Sequence, residues 1–117
     1  MFPMEKNINA IDYKLWLIAL LDLYGGLLTD KYRHSLSLYL NEDWSLAEIA
    51  EYFSISRQAV HASITRAANH LEHFEEELGL SRSRQTLRNG LEEIKRLLAE
   101  NNTTEANKTI EQLLAEI

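Results

Sequence analysis

Five residues near the middle of the chain, Arg57, Gln58, His61, Ala62 and Thr65, recur at spacings that gather them on one side of a helix. Counted at 100° per residue, they lie about 130° from an apolar row through Val60, Ile64, Ala67 and Leu71. Their chemistry suits the major groove of duplex DNA. Arginine pairs bidentately with guanine and glutamine with adenine, while threonine or alanine can touch a thymine methyl. Small Ala62 would let the helix approach closely. Ser56 at the helix start and Arg66 further along the helix are candidates for backbone phosphates. Periodicity alone does not separate such a face from an ordinary solvated one, so the preceding residues must decide.

Those residues supply two marked helix starts. Ser45 followed by Glu48 is a capping box, with Trp44 and Ile49 at hydrophobic-staple spacing. Ser56 caps the next helix, with Ile55 and Val60 as the second staple pair. The first helix has room for about two turns before the second begins, the proportions of a helix-turn-helix. The second helix is long. Val60, Ile64, Ala67, Leu71, Phe74 and Leu78 keep an unbroken heptad seam up to Gly79, so most of it must pack against a later helix or a second chain. Glu72, Glu75 and Glu76 continue the polar stripe and would repel phosphates, limiting any reading face to the first turns.

Around this unit the chain reads as helix throughout. A helix from about Asn9 to Tyr24 has Ile11, Leu15 and Ile18 on one side and Trp16, Leu20 and Leu23 nearly opposite. Such a helix is sandwiched in its own fold or shared with another subunit. Gly25 suits the left-handed position that ends it. Thr29 caps a helix over residues 30–40 with Tyr32, Leu36, Tyr39 and Leu40 inward. After Gly79 a polar segment leads to helices over about 84–99 and from about 104 to the end. The class is therefore all-α. Three parts are expected: a loose terminus over 1–8, a helix-turn-helix domain over 9–80, and a helical extension over 81–117 packing on the domain or a second subunit.

Composition narrows the functions. The net charge of −6 over 117 residues argues against a general nucleic-acid binder, so any footprint for DNA is local. Arg82, Arg84 and Arg88, with Lys95 and Arg96, make the one basic stretch and could add phosphate contacts. No cysteine is present, which excludes disulfides and thiolate metal sites. His70, His73 and Glu77 share one side of a helix, yet no second cluster supports a metal site there. There is no phosphate-cradling glycine motif and no GxSxG or HExxH. Neither catalysis nor a cofactor is expected. The longest apolar run, Leu15 to Leu21, is too short to span a bilayer, which makes the cytoplasm the expected compartment.

The stretch from Leu20 to Leu80 resembles the YlxM family of small bacterial proteins, through DLYGGLLT (Asp22–Thr29), LYLNEDWSLAEIAE (Leu38–Glu51) and ISRQAV (Ile55–Val60). The same core is similar to the C-terminal DNA-binding domain of sigma factors. The resemblance implies a helix-turn-helix fold with extra C-terminal helices. It also implies a regulatory role linked to the signal recognition particle pathway, since the family is typically encoded beside the genes for that particle's GTPase and receptor. Three positions depart from the pattern: Thr65-Arg66 where the family commonly has Lys-Arg, His61-Ala62 where it has a tyrosine and an acid, and Ser54 where helix-turn-helix proteins usually have glycine. The expectation is a non-enzymatic regulator that binds duplex DNA as a homodimer. The alternative is a protein-interaction adaptor for the signal recognition particle or its RNA.

Overall fold

A computed structural model describes residues 10–117; the expected loose terminus lies outside them. The described residues form six α-helices and no strand: α1 (Ala10–Tyr24), α2 (Asp30–Leu40), α3 (Leu46–Phe53), α4 (Arg57–Leu78), α5 (Leu80–Ala99) and α6 (Thr103–Glu116). The all-α class read from the sequence holds. The chain divides at Gly79 into two compact units, each taken separately below.

In the first unit α1, α2 and α3 all pack on α4. Leu17, Leu20, Leu36, Ile49, Val60, Ile64, Ala67 and Leu71 form its buried centre. The inward face of α1 is Tyr13, Leu17, Leu20, Leu21 and Tyr24. Of the two stripes expected, Trp16, Leu20 and Leu23 do meet the core, whereas Ile11 and Leu15 of the other are exposed and two tyrosines take core positions. They can do so because each phenol has a partner. Tyr13 Oη donates to Glu72 Oε2 at 2.6 Å, and Tyr24 Oη donates to Glu75 Oε1 at 2.7 Å. A buried hydroxyl left without a partner would cost far more than such a bond returns.

These contacts correct two expectations. As far as Phe74 the 60–78 seam needs neither a later helix nor a second chain, because α1 and α2 of its own unit cover it, with Tyr24 tilted against Phe74 and Tyr32 edge-on to His70; Leu78 at its end is exposed. Glu72 and Glu75 do not form an outward acidic stripe either; both carboxylates turn to tyrosines of α1, and Glu75 is 9% exposed. Gly25 is a third difference. Rather than taking the left-handed conformation, it opens a 3-10 turn, Gly25–Leu27, that leads to the Thr29 cap.

The second unit is a hairpin of α5 on α6. Helix α5 starts at Leu80, directly after left-handed Gly79, so no polar linker precedes it and Arg82 and Arg84 are already helical. Asn101, also left-handed at φ 60°, makes the turn: Asn102 N–H bonds Leu97 O and Asn101 N–H bonds Leu98 O, a Schellman ending. The hairpin buries little, namely Ile94, Leu97 and Ala106 with Leu113 beside them.

Candidate nucleic-acid interface

The helix-turn-helix is built by local chemistry. Ser45 Oγ accepts from Glu48 N–H while Glu48 Oε1 accepts from Ser45 N–H, the reciprocal capping box expected. The Ser45 backbone N–H foremost, and the Ser45 hydroxyl after it, hold the Glu48 carboxyl below the usual carboxylate range. Helix α3 ends after two turns because Ser54 adopts φ 56°, ψ 46°, the left-handed conformation usually given to glycine. Ser54 N–H bonds Glu51 O, and Ile55 N–H bonds Ala50 O at 3.0 Å, closing a second Schellman ending. Half-buried Ile55 packs on the core beneath this turn. Ser56 then caps α4, its Oγ accepting from Ala59 N–H.

The two helix starts differ in charge. At α3 the Glu48 carboxylate already holds the Ser45 amide at the helix start, so an incoming phosphate meets a negative group. At α4 the first turn has no acidic residue and begins with Arg57. Only α4 keeps the positive end of its dipole open to an anion.

Arg57, Gln58, His61 and Ala62 are all exposed, as are Ser56 and Arg66. Thr65 departs from them. It is half-buried, and its Oγ1 is shut from solvent with no hydrogen-bond partner, so only its methyl is left to meet a base. Further along the same stripe Ala68 is fully buried. Burial against the unit's own helices thus helps to end the candidate face, with Glu72 and Glu75 held by Tyr13 and Tyr24, while Glu76 alone of the three glutamates stays exposed on the stripe.

Arg82, Arg84 and Arg88 are exposed on α5 in the other unit. Arg88 lies 4.0 Å from Glu92 in an open i,i+4 pair, and Arg96 bonds both Glu93 and Glu100. Among the described residues no group of three His, Cys, Asp or Glu side chains could hold a metal ion, and His70 packs against Tyr32.

One surface feature escaped the sequence reading. His34 packs edge-on to Tyr52 and Phe53 (ring centroids 5.6 and 5.3 Å), and Trp44 edge-on to Tyr52 (5.5 Å). Tyr52 itself is exposed. The residues come from α2, the α2–α3 turn and α3, so no single helical period brings them together.

The fold and its exposed α4 start define an all-α protein of the helix-turn-helix class. The chain belongs to the UPF0122 family, described as "Putative helix-turn-helix protein, YlxM / p13 like", which it matches over residues 11–113. It is 41% identical over 107 residues to a UPF0122 protein of Thermoanaerobacter sp. (strain X514), covering 88% of this chain and 92% of that one. A UPF0122 protein of Clostridium kluyveri is 47% identical over 77 residues, covering 66% of this chain and 69% of that one. One of Shouchella clausii is 38% identical over 104 residues, 88% of this chain and 95% of the other. No described helix is long and apolar enough to cross a membrane.

Proposed function

We propose that the protein is a non-enzymatic regulator that binds duplex DNA in the bacterial cytoplasm as a homodimer, with the first two turns of α4 in the major groove. One observation carries this reading. Arg57, Gln58, His61 and Ala62 project together from the only helix start of the helix-turn-helix that has no acidic side chain. Arg57 and Gln58 carry the base contacts, His61 and Ala62 line the approach, the Thr65 methyl closes it, and Ser56 and Arg66 meet phosphates. Few phosphates are neutralised, so binding falls less steeply with salt than for a strongly basic protein, and a second copy is needed for useful affinity. Selection from random duplex DNA at low salt tests the reading. It should enrich a sequence, and Arg57→Ala with Gln58→Ala should weaken binding to that sequence by at least about tenfold, since a bidentate base contact contributes ~1–3 kcal/mol. Absence of any mobility shift at micromolar protein would sink it.

A second reading is an adaptor for the signal recognition particle or its RNA. The exposed Tyr52 beside His34, Trp44 and Phe53 favours it, because tyrosine and tryptophan dominate protein-binding hot spots. Capture of the particle that survives the Arg57/Gln58 double substitution but not Tyr52→Ala would select this reading over the first.

A further inference from the structure

The α5–α6 hairpin is too small for the apolar surface it carries. It spans residues 80–117, a length at which chains usually need disulfides, metals or oligomerisation to hold a fold, and it has no cysteine. Besides Leu80 at its start, six of its large apolar side chains are exposed: Leu87, Leu91 and Leu98 on α5, Ile110 and Leu114 on α6, and Ile117 just past the end of α6. They are not scattered. At 100° per residue Leu87, Leu91 and Leu98 lie to one side of the buried Ile94 and Leu97, and Ile110, Leu114 and Ile117 lie to the corresponding side of Ala106 and Leu113. In an antiparallel pair those sides coincide, so the six make one face. Counted with their buried neighbours, positions 87, 91, 94 and 98, and again 106, 110, 113 and 117, alternate fours and threes, the spacing that lets helices interlock in a bundle.

Charge indicates what covers that face. Arg84, Arg88 and Lys95 each precede one of its leucines by three residues, so a basic row borders the apolar one on the α5 edge. On the α6 edge the bordering charge is Glu111. The register between the helices is fixed at Gly90, where an added Cβ would lie 2.6 Å from Leu113 Cδ1; only a glycine leaves room for that leucine. Counting from this contact, Glu111 stands level with about residue 92 of α5, within roughly one 5.4 Å turn of both Arg88 and Lys95.

We propose that this face binds the same face of a second copy, forming an antiparallel four-helix bundle in which α5 of each chain lies over α6 of the other. A two-fold axis parallel to the helices preserves level, so it brings Glu111 of each chain beside Arg88 and Lys95 of its mate. An axis across the helices would oppose the two basic rows and is disfavoured. The pairing deepens the homodimer reading above but rests on the hairpin alone, whatever α4 binds. It also gives the basic row of α5 a partner other than phosphate.

The test measures mass in solution without DNA, by sedimentation equilibrium of the full chain. Wild type at about 20 µM should be a dimer, twice 13.5 kDa. Leu91 and Leu114 are 55% and 65% exposed, so Leu91→Glu with Leu114→Glu should leave helicity by circular dichroism intact while weakening association more than about 100-fold. Arg88→Glu with Lys95→Glu in one chain, and Glu111→Lys in another, should each weaken self-association, and mixing the two should restore a dimer. A monomeric wild type at that concentration overturns the proposal, including the case where the double glutamate variant loses thermal stability because the face covers the chain's own first unit. So does a dimer that survives the double glutamate substitution, or a mixture that fails to re-associate. None of these outcomes bears on base reading by α4, which the random-duplex selection decides separately.

Discussion

The two units spend a similar sort of sequence on opposite ends. Both read as heptad helices, and both carry surface charge. Residues 10–79 turn nearly every seam residue inward and even bury two tyrosines by giving each a carboxylate partner. The hairpin keeps only three apolar residues buried and shows its leucines to solvent. The difference is one of helix number. Four helices surround a centre, so a long helix such as α4 meets α1, α2 and α3 at successive points, whereas two helices have one line of contact and a leftover face. Heptad spacing therefore says that a helix has a partner without saying whose.

The comparison can be broken most directly at Leu71, which is fully buried on α4. Leu71→Ala should cost the first unit about 3 kcal/mol, the usual loss for a core leucine. Native-state hydrogen exchange should show α1 to α4 opening more readily while the amides of α5 and α6 keep their protection. An equal loss of protection in the hairpin would make the whole chain one cooperative fold and erase the distinction.

A smaller effect sharpens the contrast between polar contacts. Tyr24→Phe removes a donor from the buried Glu75 and should cost about 1–2 kcal/mol in chemical denaturation. On the hairpin, Arg96→Met removes exposed bonds to Glu93 and Glu100 and should leave the denaturation midpoint nearly unchanged. Similar losses at both sites would mean that the Tyr24–Glu75 bond is wetter than its burial indicates.

How much of this was legible follows from the range of each interaction. The caps at Thr29, Ser45 and Ser56, the end of α4 at Gly79 and the short α3 are written within four residues of themselves, and the sequence reading located them. The left-handed turn at Ser54 was foreseeable from its place between two caps, although serine does not advertise it. Tyr13 and Tyr24 were passed over because a tyrosine belongs in a core only if something far along the chain accepts its proton, and Glu72 and Glu75 lie 59 and 51 residues away. The same blindness made those glutamates look like solvent-facing repulsors. Of the candidate face, the exposure of Arg57, Gln58, His61 and Ala62 follows from α4's own period, but the burial of Thr65 Oγ1 depends on neighbouring helices and could not be read. The start of α5 is hidden because Ser81 and Ser83 read as linker, although left-handed Gly79 is all that separates α4 from it.

The finest distinction concerns two surface carboxylates whose pKa values are lowered for different reasons. Glu48 is held by the Ser45 backbone N–H at the start of α3, and Glu93 by the Arg96 side chain on the hairpin. Both favour the charged form in the folded state. The stability each contributes is therefore present above the ordinary glutamate range and lost as pH falls through its lowered folded value. Salt should separate them. At about 1 M the screening length shrinks to ~3 Å, which weakens an exposed ion pair between two flexible side chains. A short bond to a fixed backbone amide on the helix axis is disturbed less. Carboxyl carbon NMR titrations at low and high salt should then show Glu93 returning toward its ordinary value while Glu48 stays low. Equal salt sensitivity at the two sites would mean that the box at Ser45 is held by long-range charge rather than by its geometry, and the contrast between a locally written cap and a surface ion pair would fall.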